Sequence, residues 1–132
     1  MIYLDSCALV KLVVTEAETS ALRAFLSAHA GYPQVTSLLA RTEVVRAVRR
    51  ATADDADLYK AAVTMLNRLD HIILDRPILD DAGAVADPLV RTLDAIHLAA
   101  ARRLGDSLTA FVTYDRRLAT AALDFGFPVR AP

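Results

Sequence analysis

The sequence contains little cysteine, and it has no apolar segment long enough to cross a membrane. Its 132 residues include one cysteine, Cys7, which excludes an internal disulfide and fits a reducing, cytoplasmic compartment. Charged residues interrupt every apolar run well before the roughly 18 residues that a membrane span requires. Asp5 lies where a signal peptide would be apolar, and no basic residue precedes it. We therefore expect neither export nor membrane association.

The chain also lacks an excess of positive charge. Its formal net charge is −1, so bulk electrostatics does not mark it as a nucleic-acid-binding domain. Hydrophobic residues make up 55% of the chain, which argues against disorder and is enough for a sizeable core. No repeat or low-complexity linker divides the sequence. The length and composition predict one domain that spans residues 1–132.

Short apolar runs alternate with longer segments of helical periodicity, which predicts an α/β fold around a mainly parallel sheet. The predicted strands are Ile2–Leu4, Gln34–Thr36, His71–Leu74, Ala110–Thr113 and Pro128–Arg130. The predicted helices are Ser6–Val14, Glu16–Ala30, Ser37–Ala51, Asp54–Leu69, Ile78–Ala86, Leu93–Leu104 and Asp115–Phe125. In such folds the chemistry occurs beyond the carboxyl ends of the strands, so the residues that follow each strand are of most interest.

Carboxylates occupy several of these positions. Asp5 directly follows the first strand, Asp115 follows the strand in "AFVTYD", and Asp94 lies in the first turn of a helix with Thr92 as its predicted N-cap. Glu43 lies near the start of the helix after the second strand. Each acid alone has an ordinary explanation, because acidic residues in a first turn complement the helix dipole.

Four acids at one edge of a sheet would repel one another, and this repulsion has two physical solutions. Some of the carboxyl groups can be protonated, or a hard divalent cation can bind between them. Mg²⁺ or Mn²⁺ held by Asp and Glu oxygens suits phosphodiester hydrolysis, because it polarises phosphoryl oxygens and lowers the pKa of bound water. No Ser-His-Asp, Cys-His, Walker A or Cys/His zinc spacing competes with this interpretation.

Four sequence blocks carry a resemblance to a known family. "YLDSCALVKL", "TSLLARTEVVRAVRR", "RTLDAIHLAAARRLG" and "AFVTYDRRLATAA" resemble, in order and spacing, the acidic blocks of the PIN domain. They are most similar to those of the VapC toxins of bacterial type II toxin–antitoxin modules. The resemblance implies a PIN-like three-layer sandwich, in which helices flank a mainly parallel five-stranded sheet.

The resemblance also implies an activity and a site. It implies a Mg²⁺- or Mn²⁺-dependent endoribonuclease that cleaves RNA by means of metal-activated water. The implied metal-binding and catalytic carboxylates are Asp5, Glu43, Asp94 and Asp115, and Ser6 and Thr113 match the hydroxyl residues that accompany them. Many relatives carry a further acid two residues after the last one. Here Arg117 occupies that position, which leaves open whether one ion or two are bound.

Arg116 and Arg117 follow Asp115 at the start of a helix, the end that disfavours cations, so we interpret them as contacts to RNA phosphates.

The resemblance implies a VapB-type antitoxin as the protein partner. It also implies that this chain forms a homodimer or a toxin–antitoxin hetero-oligomer. The remaining alternative is a catalytically inactive PIN-like module that binds RNA or protein. A receiver domain would need a lysine after the fifth strand, and no lysine follows Lys60.

Overall fold

The structure is a computed structural model that describes all residues from Met1 to Pro132. Five short strands form a single parallel sheet in the order β3-β2-β1-β4-β5, and seven α-helices pack against it. The strands are β1 (Ile2–Leu4), β2 (Gln34–Ser37), β3 (Asp70–Ile72), β4 (Ala110–Val112) and β5 (Val129–Arg130). The helices are α1 (Ser6–Val13), α2 (Thr19–Ala28), α3 (Ala40–Ala51), α4 (Ala56–Leu66), α5 (Arg76–Gly83), α6 (Thr92–Arg102) and α7 (Arg116–Asp124).

The alternating side chains of the two central strands divide the core into two layers. Ile2 and Leu4 of β1 point to one face, where they pack against helices α1 to α4. Tyr3 of β1 and Phe111 of β4 point to the other face and pack against α5, α6 and α7. Successive residues of a strand face opposite sides, so a run that is buried throughout marks a strand covered on both faces. The predicted three-layer arrangement is confirmed.

The strand order places a topological switch between β1 and β4. The chain adds β2 and β3 on one side of β1 and then returns to add β4 and β5 on the other side. Adjacent parallel strands whose connections leave in opposite directions open a crevice beyond their carboxyl ends. Leu4 pairs with Val112 at this end, so Asp5 leaves the sheet beside the residues that follow β4.

Several predicted boundaries require correction. Ser37 belongs to β2, because the strand continues its pairing with Ile72 of β3, and α3 begins only at Ala40. Helix α2 begins at Thr19 and not at Glu16, since the Thr19 hydroxyl accepts a hydrogen bond from the Glu16 amide and donates one to the Lys11 carbonyl. The remaining boundaries differ by up to three residues. No helix is long and apolar enough to cross a membrane.

Candidate active site

The four predicted carboxylates line one cleft at the carboxyl edge of the sheet. Its volume is about 350 Å³. The cleft is lined by Asp5 after β1, Glu43 of α3, Asp94 of α6 and Asp115 before α7, together with Ser6, Cys7, Arg91, Thr92, Leu93, His97 and Leu118. Each carboxylate therefore comes from a different part of the chain, and the sheet brings them together.

Asp5 is the most deeply buried of the four acids, with 3% of its surface exposed. Its Oδ1 accepts the Ala8 amide at 2.8 Å, which makes Asp5 the N-cap of α1. Its Oδ2 accepts the Thr113 hydroxyl at 2.6 Å and the Cys7 thiol at 3.2 Å. Burial nonetheless raises the pKa of Asp5 above its ordinary value, because these donors do not offset the loss of hydration.

The Thr113 hydroxyl fixes the relation between two of the acids. It donates to Asp5 and accepts the backbone amide of Asp115 at 3.1 Å. Asp115 in turn caps α7, and its Oδ1 accepts the Arg117 amide at 2.8 Å. The other oxygen, Oδ2, lies 3.9 Å from the guanidinium of Arg91. One hydroxyl thus connects the ends of β1 and β4.

Glu43 is held by a different set of donors. Its Oε2 accepts the Ser6 hydroxyl at 2.6 Å and lies 2.8 Å from Nε2 of His97. Burial alone would raise the pKa of Glu43, but the hydrogen bonds from His97 and Ser6 bring it below its ordinary value. No ion pair or hydrogen bond joins Glu43 to Arg46, one turn further along α3. Both donors contact Oε2 of Glu43, and its other oxygen, Oε1, makes no hydrogen bond.

A buried tyrosine holds His97 from the opposite side. The Tyr3 hydroxyl lies 2.7 Å from Nδ1 of His97, and both residues are almost completely buried. A carboxylate can only accept, so Nε2 carries the proton that is donated to Glu43. In a neutral ring Nδ1 then accepts from the Tyr3 hydroxyl. Tyr3, His97 and Glu43 therefore form a continuous array from the core to the cleft.

Asp94 differs from the other three acids, because its carboxylate makes no hydrogen bond and no ion pair with the protein. Burial raises the pKa of Asp94, and the negative charge of Asp115 raises it further. The N-cap of α6 is Arg91, which makes no side-chain capping bond, so the predicted capping by Thr92 is wrong. Asp94 is thus the acid whose oxygens are most available to a ligand.

Two residues of this site have roles that the sequence did not indicate. The sequence indicates only that Tyr3 lies in a strand, because its contact with His97 spans 94 positions of the chain. Cys7 is also part of the cleft, but burial followed by the Asp5 charge raises the pKa of its thiol to about 12. A thiol with such a pKa is not a nucleophile near neutral pH.

The donor set of the cleft fits Mg²⁺ or Mn²⁺. No three His, Cys, Asp or Glu side chains converge closely enough to hold an ion on their own. Mg²⁺, however, usually retains several waters and takes one or two carboxylates together with substrate phosphates. Hard carboxylate oxygens with unused hydrogen-bonding capacity are present on Asp94, Asp115 and Glu43, which meets that requirement.

The comparisons with known proteins agree on a single family. Residues 2–123 match the family model described as "PIN domain". The chain is 46% identical over 131 residues to ribonuclease VapC46 of Mycobacterium tuberculosis, a match that covers 99% of this chain and 97% of the relative. It is 40% identical to ribonuclease VapC47 of the same species, over 100% of this chain and 97% of the relative.

The fold is likewise shared with a solved structure. The crystal structure of M. tuberculosis VapC20, named there as a sarcin–ricin loop cleaving toxin, superimposes with a TM-score of 0.73 over 92% of this chain and 95% of that chain. Its sequence identity is 18%, so this likeness concerns the fold alone. The chain belongs to the PIN-domain family and, within it, to the VapC ribonucleases.

Proposed function

We propose that this protein is a metal-dependent endoribonuclease, the toxin of a toxin–antitoxin pair, built as a single PIN domain over residues 1–132. The observation that carries the proposal is the convergence of four carboxylates, from four separate elements, on one cleft in a chain of the VapC family. We expect it to act on cytoplasmic RNA.

The carboxylates that would hold Mg²⁺ or Mn²⁺ are Asp5, Glu43, Asp94 and Asp115. When bound, such an ion supplies a Lewis acid and lowers the pKa of coordinated water. The protein supplies the placement of these ligands. Ser6 and Thr113 support it, since their hydroxyls donate to Glu43 and Asp5.

In the proposed reaction, a water attacks the scissile phosphate in line with the leaving 3′ oxygen, and one of the cleft carboxylates takes its proton. The products then carry a 5′-phosphate and a 3′-hydroxyl. Arg116 and Arg117 lie in a cavity that adjoins the cleft and shares Asp94 and Arg91 with it. Neither forms an ion pair with a carboxylate, which leaves both guanidinium groups free to contact RNA phosphates.

The test is to map the 5′ ends of RNA cut by the purified protein with Mg²⁺, with Mn²⁺ and with EDTA. We expect 5′-phosphate ends, full dependence on the metal and no cleavage by Asp94→Asn. Asp94→Asn is a sharper variant than Asp5→Asn, because Asp94 has no hydrogen bond to lose whereas Asp5 caps a helix. Cleavage in EDTA, or 2′,3′-cyclic phosphate ends, would overturn the proposed reaction.

The alternative of an inactive binding module makes the opposite prediction in the same assay. Such a module would bind RNA or protein and leave every RNA intact at all metal concentrations. The partner that we propose, a VapB-type antitoxin forming a hetero-oligomer with this chain or with its homodimer, rests on the family alone. Addition of that antitoxin is expected to stop cleavage.

A further inference from the structure

The acidic cleft is one of three adjoining cavities, and the third has no role in the site described so far. This third cavity, which we call the α3 groove, has a volume of about 620 Å³ and lies between α1 and α3. It shares Ser6, Cys7, Glu43 and Leu93 with the acidic cleft. The Arg116/Arg117 cavity adjoins the opposite end of the same cleft. The acids therefore lie in the middle of a continuous depression.

Two arginines of α3 line this groove. Glu43, Arg46, Ala47 and Arg50 are spaced as neighbours along one face of a helix, and all four line the groove. Neither Arg46 nor Arg50 forms a hydrogen bond or an ion pair with a carboxylate. Lys11 also lines the groove, but it is already paired with Glu16 and Glu18. Arg46 and Arg50 are thus the free cations of the groove.

The neighbouring arginine on α3 that lies outside the groove differs from these two. Arg49 lies on another side of α3 and forms a two-pronged ion pair with Asp54. Within little more than one turn, at positions 46, 49 and 50, α3 thus carries arginines of two kinds. The one that faces away from the groove is neutralised, and the two that face it are not.

From these contacts we infer that the α3 groove is a phosphate-binding site for the RNA strand. Arg46 and Arg50 would contact successive backbone phosphates. These phosphates lie on one side of the scissile bond, and those contacted by Arg116 and Arg117 lie on the other. This inference deepens the proposed ribonuclease function and rests on it. Helical rise separates the two arginines by about 6 Å along α3, which is comparable to the phosphate spacing of an extended strand.

Charge and surface chemistry favour RNA as the occupant. A polyanion is repelled by four clustered carboxylates, so a strand that crosses them requires cations on both sides of the cleft. Guanidinium groups bind phosphate oxygens through paired donors. The rest of the groove wall includes Val10, Leu39, Ala47 and Leu93, an apolar surface suited to the faces of riboses and bases. The groove is also continuous with the acidic cleft in which the RNA is proposed to be cut, which favours RNA over an acidic peptide.

The experiment measures binding separately from cleavage. Asp94→Asn protein in EDTA is titrated into a fluorescein-labelled single-stranded RNA of mixed sequence, and anisotropy gives the Kd at several salt concentrations. We expect Arg46→Ala/Arg50→Ala to raise the Kd about tenfold near 0.1 M salt, and to lower the slope of log K against log salt by about 1.4, at ~0.7 per phosphate contact.

A matched control removes the same amount of charge elsewhere. Arg49→Ala/Arg68→Ala loses two arginines that lie outside the groove, Arg68 being at the opposite, amino edge of the sheet beside Gln34. We expect its salt slope to equal that of the parent protein. If the two double variants change the Kd and the salt slope equally, the effect comes from overall charge and the inference is overturned.

Other outcomes separate the inference from the function on which it rests. Unchanged RNA affinity in Arg46→Ala/Arg50→Ala overturns the inference even if the wild-type protein cleaves RNA, and it leaves the groove to a protein partner. Weakened binding with no cleavage by the wild-type protein supports the groove and overturns the ribonuclease. Urea unfolding curves of all variants establish that the fold is retained.

Discussion

Removal of the Tyr3 hydroxyl tests the array that holds Glu43 in the cleft. In Tyr3→Phe the aromatic ring remains, stacked on Phe111 with ring centres 5.1 Å apart, and only the hydroxyl is lost. The lost hydrogen bond is worth about 1 kcal/mol, and Nδ1 of His97 is left buried without a donor at a similar further cost. The expected loss of unfolding free energy is therefore about 2 kcal/mol.

Urea unfolding followed by circular dichroism measures this loss. With a denaturant slope of about 2 kcal/mol per molar for a small protein, the midpoint should fall by about 1 M. The control is Tyr59→Phe, since Tyr59 is 44% exposed and makes no side-chain hydrogen bond. Removal of the same atom there should change the unfolding free energy by less than about 0.5 kcal/mol.

A second measurement distinguishes a role in positioning Glu43 from a purely structural one. With Nδ1 unpartnered, His97 can turn and release Oε2 of Glu43. We expect the Mn²⁺ concentration for half-maximal cleavage to rise more in Tyr3→Phe than in a core variant of equal stability, such as Val48→Ala on the other face of the sheet. If Tyr3→Phe unfolds at the same urea concentration as the wild type, the hydrogen-bonding argument is refuted. If the two variants require the same Mn²⁺ concentration, the role of Tyr3 in positioning Glu43 is refuted.

Two further predictions concern the other acids. Asp94→Asn should stabilise the metal-free protein at pH 7, because burial and Asp115 raise the pKa of Asp94 in the folded state, and the ionised form is therefore disfavoured there. This gain should disappear as the pH falls below about 4, where the carboxyl group is protonated in both the folded and the unfolded protein. Thermal unfolding in EDTA at several pH values measures it. A midpoint for Asp94→Asn at pH 7 that is equal to or lower than that of the wild type would contradict the prediction. Thr113→Val should cost about 1.5–3 kcal/mol at pH values above the pKa of Asp5, where the carboxylate is ionised, since Asp5 loses its shortest donor. It should also raise the pKa of Asp5 further, so the deficit should shrink as the pH falls through that pKa and Asp5 is protonated; a pH-independent deficit would show that the loss is one of packing.

The position of the site was predictable because it depends on local patterns. The apolar run before Asp5 and the run before Thr113 each mark a buried strand, and parallel strands end at the same edge of a sheet. The sequence pattern alone therefore predicts that Asp5 and Asp115 lie at the same edge of the sheet. The order of the strands, which makes β1 and β4 neighbours, was not predicted, because it depends on pairing between segments far apart in the chain.

The internal contacts of the site were not predictable in the same way. A histidine in an alanine-rich helix gives no sign of whether it binds a tyrosine, a carboxylate or nothing, and the partners of His97 lie 94 and 54 positions away. The start of α2 and the capping of α6 were misjudged for a related reason. Hydrogen bonds from Thr19 to the end of α1, and not local propensity, decide where α2 begins.

The hydrogen bonds of the cleft also explain how four acids can be held close together without a cation. Thr113 donates to Asp5, Ser6 and His97 donate to Glu43, and the α7 amides donate to Asp115, so three of the carboxylates are fixed by donors of the surrounding fold. Only Asp94 has no donor, and burial and the charge of Asp115 both raise its pKa, while burial also raises the pKa of Asp5 despite its donors. A bound cation would relieve the repulsion chiefly at Asp94 while the other three acids keep their positions. The fold therefore holds three of the carboxylates in place in advance, and the electrostatic cost that remains in the metal-free protein falls on Asp5, through its burial, and on Asp94, through its burial and the charge of Asp115.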